Sequence, residues 1–295
     1  MSAVLQLSGR DKDLGGGFMV QRLLPAVQRR SIGPFVFFDH FGPVTVAPAD
    51  NFDVRPHPHI GLATVTYLFE GAMLHRDSLG SRQQIEPGAI NWMTAGRGIV
   101  HSERRPEALA QRSYVNHGLQ LWAALPLAHE EDAPTFTHTP ADAIPQVVRE
   151  GATVRVLIGT ALGQTSPVAT FSPTLYLDVQ LAPGAALELP PLAPEMAVYA
   201  VDGALQIDGD TTVPAHTLAV LEPGRAVRLH STGAAVRLAV IGGDALDAPR
   251  HIWWNFVSSR KERIVQAADD WEQQRLGHVP GDTEWIALPE RRFKV

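Results

Sequence analysis

The chain has 295 residues, 45% of them hydrophobic and 19% charged, with a net charge of −6 and no cysteine. This suits one large or two smaller globular domains and excludes an extended, charged, disordered chain. The acidic balance lacks the basic face of a direct nucleic-acid binder, the missing thiols exclude disulfides and thiolate metal sites, and no apolar run is long enough to span a membrane. Residues 1–17 carry Arg10, Asp11, Lys12 and Asp13 in place of an apolar signal core, so a soluble cytoplasmic protein is expected.

Residues 18–125 read as short strands punctuated by turns. Phe35-Val36-Phe37-Phe38 is a compact apolar run, and Thr64 to Phe69 is rich in β-branched and aromatic residues before Glu70-Gly71 stops it. Met73-Leu74-His75 and Gln83-Gln84-Ile85 flank the turn Ser78-Leu79-Gly80. Ala89 to Met93 forms a strand, Ala95-Gly96-Arg97-Gly98 breaks it, and Ile99 to Glu103 resumes. Leu119 to Leu125 closes the unit. Residues 126–145, with Pro126, Pro134, Pro140 and Pro145, read as a linker without a long regular element.

The pattern then begins again. Val154 to Ile158 and Leu175 to Val179 alternate as strands. Tyr67-Leu68-Phe69-Glu70-Gly71 is echoed by Tyr199-Ala200-Val201-Asp202-Gly203, and the run from Pro87 to Gly96 by the run from Pro214 to Gly224. Two copies of one β-barrel module explain the echo. The expected domains are therefore residues 1–145, a metal-binding barrel, and residues 146–295, a degenerate barrel with a closing helix. Ser259-Arg260-Lys261-Glu262 has the form of a capping box. Ile264, Ala267, Ala268 and Trp271 recur at helical spacing, and Gly277 is a plausible stop.

The chemistry is concentrated in His57-Pro58-His59 and in Gly96-Arg97-Gly98-Ile99-Val100-His101-Ser102-Glu103. Alternate side chains of a strand share a face, so His57 pairs with His59 and His101 with Glu103. Burying Glu103 among imidazoles without a cation is costly. The four residues are expected to hold a divalent metal, most simply Fe(II), with Mn, Ni, Co, Cu and Zn as alternatives. Glu103 is also the candidate catalytic base. His75, His40, His117, Gln120, Arg97 and the pair Trp253-Trp254 have weaker claims; His75 reads as a packed or surface histidine, with a supporting role at the metal as the other reading. In the second copy Leu189-Pro190-Pro191 stands where the first has its histidine pair, so that copy is expected to be metal-free.

The run Arg55 to Gly71 resembles the first signature of the pirins, and the run Trp92 to Glu103 the second. Pirins are bicupins of the cupin superfamily. The resemblance implies an all-β fold of two cupin-type barrels with a C-terminal helix, iron in the first barrel, and His57, His59, His101 and Glu103 as ligands. Many cupins place a glutamate shortly after the histidine pair; here that position is Ala63, which leaves Glu103 as the carboxylate. The resemblance implies one of two functions. One is a quercetin 2,3-dioxygenase-like oxidoreductase using dioxygen on a small flavonol-type aromatic substrate. The other is a non-catalytic, redox-sensitive partner of a regulatory protein or metabolic enzyme.

Overall fold

The computed structural model describes residues 4–15 and 17–293. The chain opens with strands β1 (Leu5–Ser8), β2 (Arg10–Asp13), β3 (Met19–Leu24) and β4 (Phe35–Val46). Then come β5 (Val54–His59), β6 (Leu62–Glu70), β7 (Met73–Asp77), β8 (Arg82–Ile85), β9 (Ile90–Thr94), β10 (Ile99–Arg104) and β11 (Tyr114–Ala124). Each apolar or alternating run singled out between residues 35 and 125 lies in one of these strands, because its inward residues bury against the neighbouring sheet.

The stretch 126–145 contains more than a linker. Thr135-Phe136-Thr137-His138-Thr139 forms β12 (Thr135–Thr139), which pairs antiparallel with β9, Phe136 opposite Met93. Its β-branched alternation suits a strand, and Pro134 and Pro140 bound it without interrupting it.

The second copy continues with β13 (Gln146–Arg149), β14 (Ala152–Ile158), β15 (Thr160–Ala161), β16 (Gln164–Thr165), β17 (Thr174–Leu181) and β18 (Ala186–Leu189). It adds β19 (Glu195–Asp202), β20 (Leu205–Ile207), β21 (Thr211–Val213), β22 (Thr217–Val220), β23 (Val227–Ser231) and β24 (Val236–Gly243). A hairpin of β25 (His251–Trp253) and β26 (Phe256–Ser258) precedes helix α1 (Lys261–Glu272).

The two copies match strand for strand. One has a seven-stranded sheet β12-β9-β6-β11-β4-β3-β2 and a four-stranded sheet β5-β10-β7-β8. The other has β1-β22-β19-β24-β17-β14-β13 and β18-β23-β20-β21. The echo around Tyr67 and Tyr199 falls on equivalent central strands, β6 and β19.

The chain does not divide at residue 145. One compact unit gathers residues 12–20, 39–141 and the segment from Leu246 onward; the other gathers the N-terminal stretch through Asp11 with residues 21–38 and 142–245. Strand β1 belongs to the second-copy unit because it extends that sheet, Leu5 opposite Val220 and Ser8 opposite Thr217. Helix α1 belongs to the first-copy unit because its buried stripe Ile264, Ala267, Ala268 and Trp271 packs with Ile60, Val100 and Phe256. The expected capping box does not form. Ser259 Oγ donates to Glu130 Oε2 at 2.8 Å, and Arg260 is the N-cap. The helix ends at Glu272 with Gln273 as its C-cap, before Gly277, and Gln274 lies in the left-handed region at φ 55°. Among the described residues no helix is long and apolar enough to cross a membrane.

Candidate metal centre

The four-stranded sheet of the first-copy unit carries the candidate site. Pro56 and Pro58 have no N–H to give a ladder, and β5 is the edge strand, where a sheet tolerates them. The intervening His57 and His59 share one face. On the neighbouring strand His101 lies opposite His57, and Ile99 opposite His59.

Two glycines are required by close approach. At Gly96, φ is +50° and a Cβ would meet the Asp132 carbonyl oxygen at 2.0 Å. At Gly61, φ is +67° and a Cβ would meet the Val257 carbonyl oxygen at 2.0 Å. Gly61 thus lets the β25–β26 hairpin settle beside the end of β5, where Val257 N donates to Ile60 O.

His57, His59 and His101 are all buried, and one ring nitrogen of each lies within 4.8 Å of the others. His57 Nδ1 is 2.9 Å from Arg55 O, and His59 Nδ1 is 3.0 Å from Asn255 O. A carbonyl only accepts, so both rings carry their proton on Nδ1 and turn an unprotonated Nε2 inward. The Nε2 atoms of His59 and His101 face each other at 3.1 Å.

Burial pushes the His57 pKa down to about 4, the neighbouring His75 adding to the effect. Burial, followed by the neighbouring imidazoles, holds His59 and His101 well below the ordinary histidine range. At neutral pH the three rings are uncharged, so converging lone pairs meet in a water-poor space. That is the donor set a divalent transition metal accepts.

Glu103 stands apart from this cluster. Between His101 and Glu103 the register with β5 shifts, which puts Glu103 opposite Val54; on the other side it lies opposite His75. Glu103 therefore keeps the face of His101, one register step along. Its carboxyl is not among the atoms gathered with the imidazoles. It lines a small cavity of about 20 Å³ with Val46, Phe52, Met73, Tyr114 and Asn116. Burial raises its pKa to about 7.

His75 is a packed residue, not a surface one. It is 5% exposed, stacks on Phe136 with ring centroids 4.2 Å apart, and sets Nε2 2.9 Å from Asp77 Oδ2. Its Nδ1 faces His101 Nδ1 at 3.4 Å. Sequence reasoning passed over Asp77, although His75-Arg76-Asp77 has the same alternate spacing as the two ligand pairs. The carbonyl of Asn255 had no sequence signal. His40 and His117 pair with each other through Nε2 atoms 2.8 Å apart and do not join the triad. Gln120 accepts from Thr66 Oγ1, Arg97 is exposed, and Trp253 and Trp254 pack against the cluster around Phe256.

Fold and site together define a two-barrel cupin with a candidate histidine metal centre in one barrel. The chain matches the family model Pirin over residues 17–123 and the Pirin C-terminal cupin domain over residues 176–277. It is 44% identical over 290 residues to a pirin-like protein of Caulobacter vibrioides, covering 97% of this chain and 99% of that one. A Pseudomonas aeruginosa protein, named provisionally as a quercetin 2,3-dioxygenase, is 38% identical over 270 residues, covering 91% of this chain and 83% of its own. The crystal structure of a quercetin 2,3-dioxygenase from Acinetobacter baumannii superposes with a TM-score of 0.91 at 34% identity, covering 99% of this chain and 97% of that one. The chain belongs to the pirin family.

Proposed function

We propose that this pirin is an iron-dependent dioxygenase of flavonol-type aromatic substrates. The observation that carries the reading is the convergence of three neutral imidazoles, with the buried carboxyl of Glu103, two residues along the strand from His101, bordering a small cavity. His57, His59 and His101 would hold the iron, with Glu103 as a fourth ligand. Ferrous iron supplies the one-electron chemistry that lets dioxygen react with a closed-shell aromatic ring. Glu103, with its pKa near neutrality, takes the proton of the flavonol hydroxyl; a base poised at the working pH is efficient in that role. Val46, Phe52 and Met73 keep bulk water from the carboxyl. Two relatives named as quercetin 2,3-dioxygenases, one of them provisionally, support the substrate class.

The test is quercetin consumption and carbon monoxide release by the iron-loaded protein beside its His101→Ala variant. Turnover in the parent and its loss in the variant are expected; equal rates would defeat the reading.

The cavity size favours a second function. About 20 Å³ holds roughly one water, whereas small-molecule pockets run to roughly 300 Å³ or more. A flavonol requires the walls to open. A metal-bearing module that binds a regulatory protein or an enzyme according to its redox state requires no such opening. It predicts metal uptake without quercetin loss, and a partner whose capture depends on the metal.

A further inference from the structure

His57 and His59 each direct their second nitrogen at a main-chain carbonyl, a group that only accepts. His101 instead faces another imidazole, whose nitrogen can donate or accept. The tautomer of His101 is therefore set further along the chain of contacts, at Asp77. Asp77 Oδ1 accepts from the backbone N–H groups of Leu79 at 2.9 Å and Ser81 at 3.0 Å, and Oδ2 accepts from His75 Nε2 at 2.9 Å. An ionised carboxylate cannot donate. In a neutral His75 ring the proton thus sits on Nε2, the bare Nδ1 accepts from His101 Nδ1–H, and His101 Nε2 is left unprotonated where it meets His59 Nε2.

We propose that Asp77 and His75 are positioning residues that hold His101 in its ligating tautomer and orientation. This inference rests on the metal reading above. Asp77 is 0% exposed, and a buried carboxylate is tolerated only where it is paired and hydrogen-bonded, as it is here. The fold itself does not require the pair, as the second copy shows. Ile207 lies opposite Leu229 just as Asp77 lies opposite His101, and Leu205 takes the place of His75. The stack on Phe136 fixes the His75 ring plane, so the relay has one geometry. Outer hydrogen-bond partners of this kind orient a metal-bound histidine and raise its basicity.

The decisive variant is Asp77→Asn. Its Oδ1 can keep the two loop N–H bonds, while its Nδ2 now donates to His75 Nε2. The proton of His75 moves to Nδ1, His101 Nδ1 must accept, and His101 Nε2 carries a proton into the metal position. Long-range ¹H–¹⁵N NMR of the metal-free full chain reads this directly. His101 is expected as the Nδ1–H tautomer in the parent and as the Nε2–H tautomer in the variant. Titration with Co²⁺ should show affinity roughly 10- to 100-fold weaker and shifted visible bands. His75→Phe keeps the stack on Phe136 and removes both nitrogens; it should lose affinity similarly and melt below the parent, because the buried Asp77 Oδ2 loses its partner. An Asp77→Asn protein with the parental tautomer, affinity and Co²⁺ spectrum would overturn the inference. A parent that takes up no Co²⁺, while its His101 tautomer still follows Asp77, would sink the metal reading and leave the positioning role standing.

Discussion

The two four-stranded sheets are the same scaffold with opposite interiors. Equivalent registers place Leu187, Leu189 and Leu229 where the first copy has His57, His59 and His101, two residues before the Leu189-Pro190-Pro191 that the sequence echo set against the histidine pair. They also place Leu205, Ile207 and Ser231 where it has His75, Asp77 and Glu103. All five apolar replacements belong to one continuous core cluster. The backbone therefore does not demand polar residues at these positions. In the first copy His59, His101, His75 and Asp77 form a connected chain of polar contacts, as buried polar groups require.

The comparison is broken most directly by giving the first sheet a residue of the second. His101→Leu should fold and lose metal uptake by more than about 100-fold, beyond the range for an outer partner. Elemental analysis after gel filtration checks it. Stoichiometric metal in that variant would mean the leucine and histidine sheets differ for another reason.

A smaller effect separates Glu103 from Ser231. Without metal, Glu103 holds its proton below about pH 7, and a metal taking the carboxylate must displace it. Uptake should weaken as pH falls from 8 to 6, by up to about tenfold per unit for one displaced proton, and Glu103→Gln should flatten that slope. The sign for folding is opposite. The folded pKa lies above the unfolded one, so this group favours the metal-free fold below the unfolded value and loses that contribution as pH rises toward 7. Thermal melts of metal-free parent and Glu103→Gln across pH 4–8 check the sign.

The smallest effect lies wholly in the leucine sheet. Ile207→Val should cost about 0.5–1.5 kcal/mol in a urea melt and leave metal affinity unchanged. A change in uptake would mean that the two sheets are not independent.

Much of this was legible in the sequence, and the gaps have physical causes. Alternation placed His57 with His59 because strand period is local. The echo around Tyr199 gave the second copy, and the stripe from Ile264 to Trp271 gave the helix. Alternation does not say which strand lies alongside, so β1 was assigned to the wrong unit and β12 was read as linker. Ser259 had the chemistry of a cap, but Glu130 offers it a carboxylate from 129 residues away. The partners of His75 were not legible because a lone histidine among apolar neighbours shows neither of them, and Asn255 contributes a main-chain oxygen that any residue carries.

That oxygen has a consequence for how the centre is assembled. The acceptor for His59 lies 196 residues downstream, on a hairpin turn whose Trp254 is in the left-handed region at φ 53°. Protein synthesis runs from the N-terminus, so the histidine pair leaves the ribosome long before the turn that locks one of its rings. Until that turn docks, His59 can rotate or present either nitrogen, and the nascent barrel has no settled grip on an ion. An ion held by this centre would therefore be gripped only once the β25–β26 hairpin has docked.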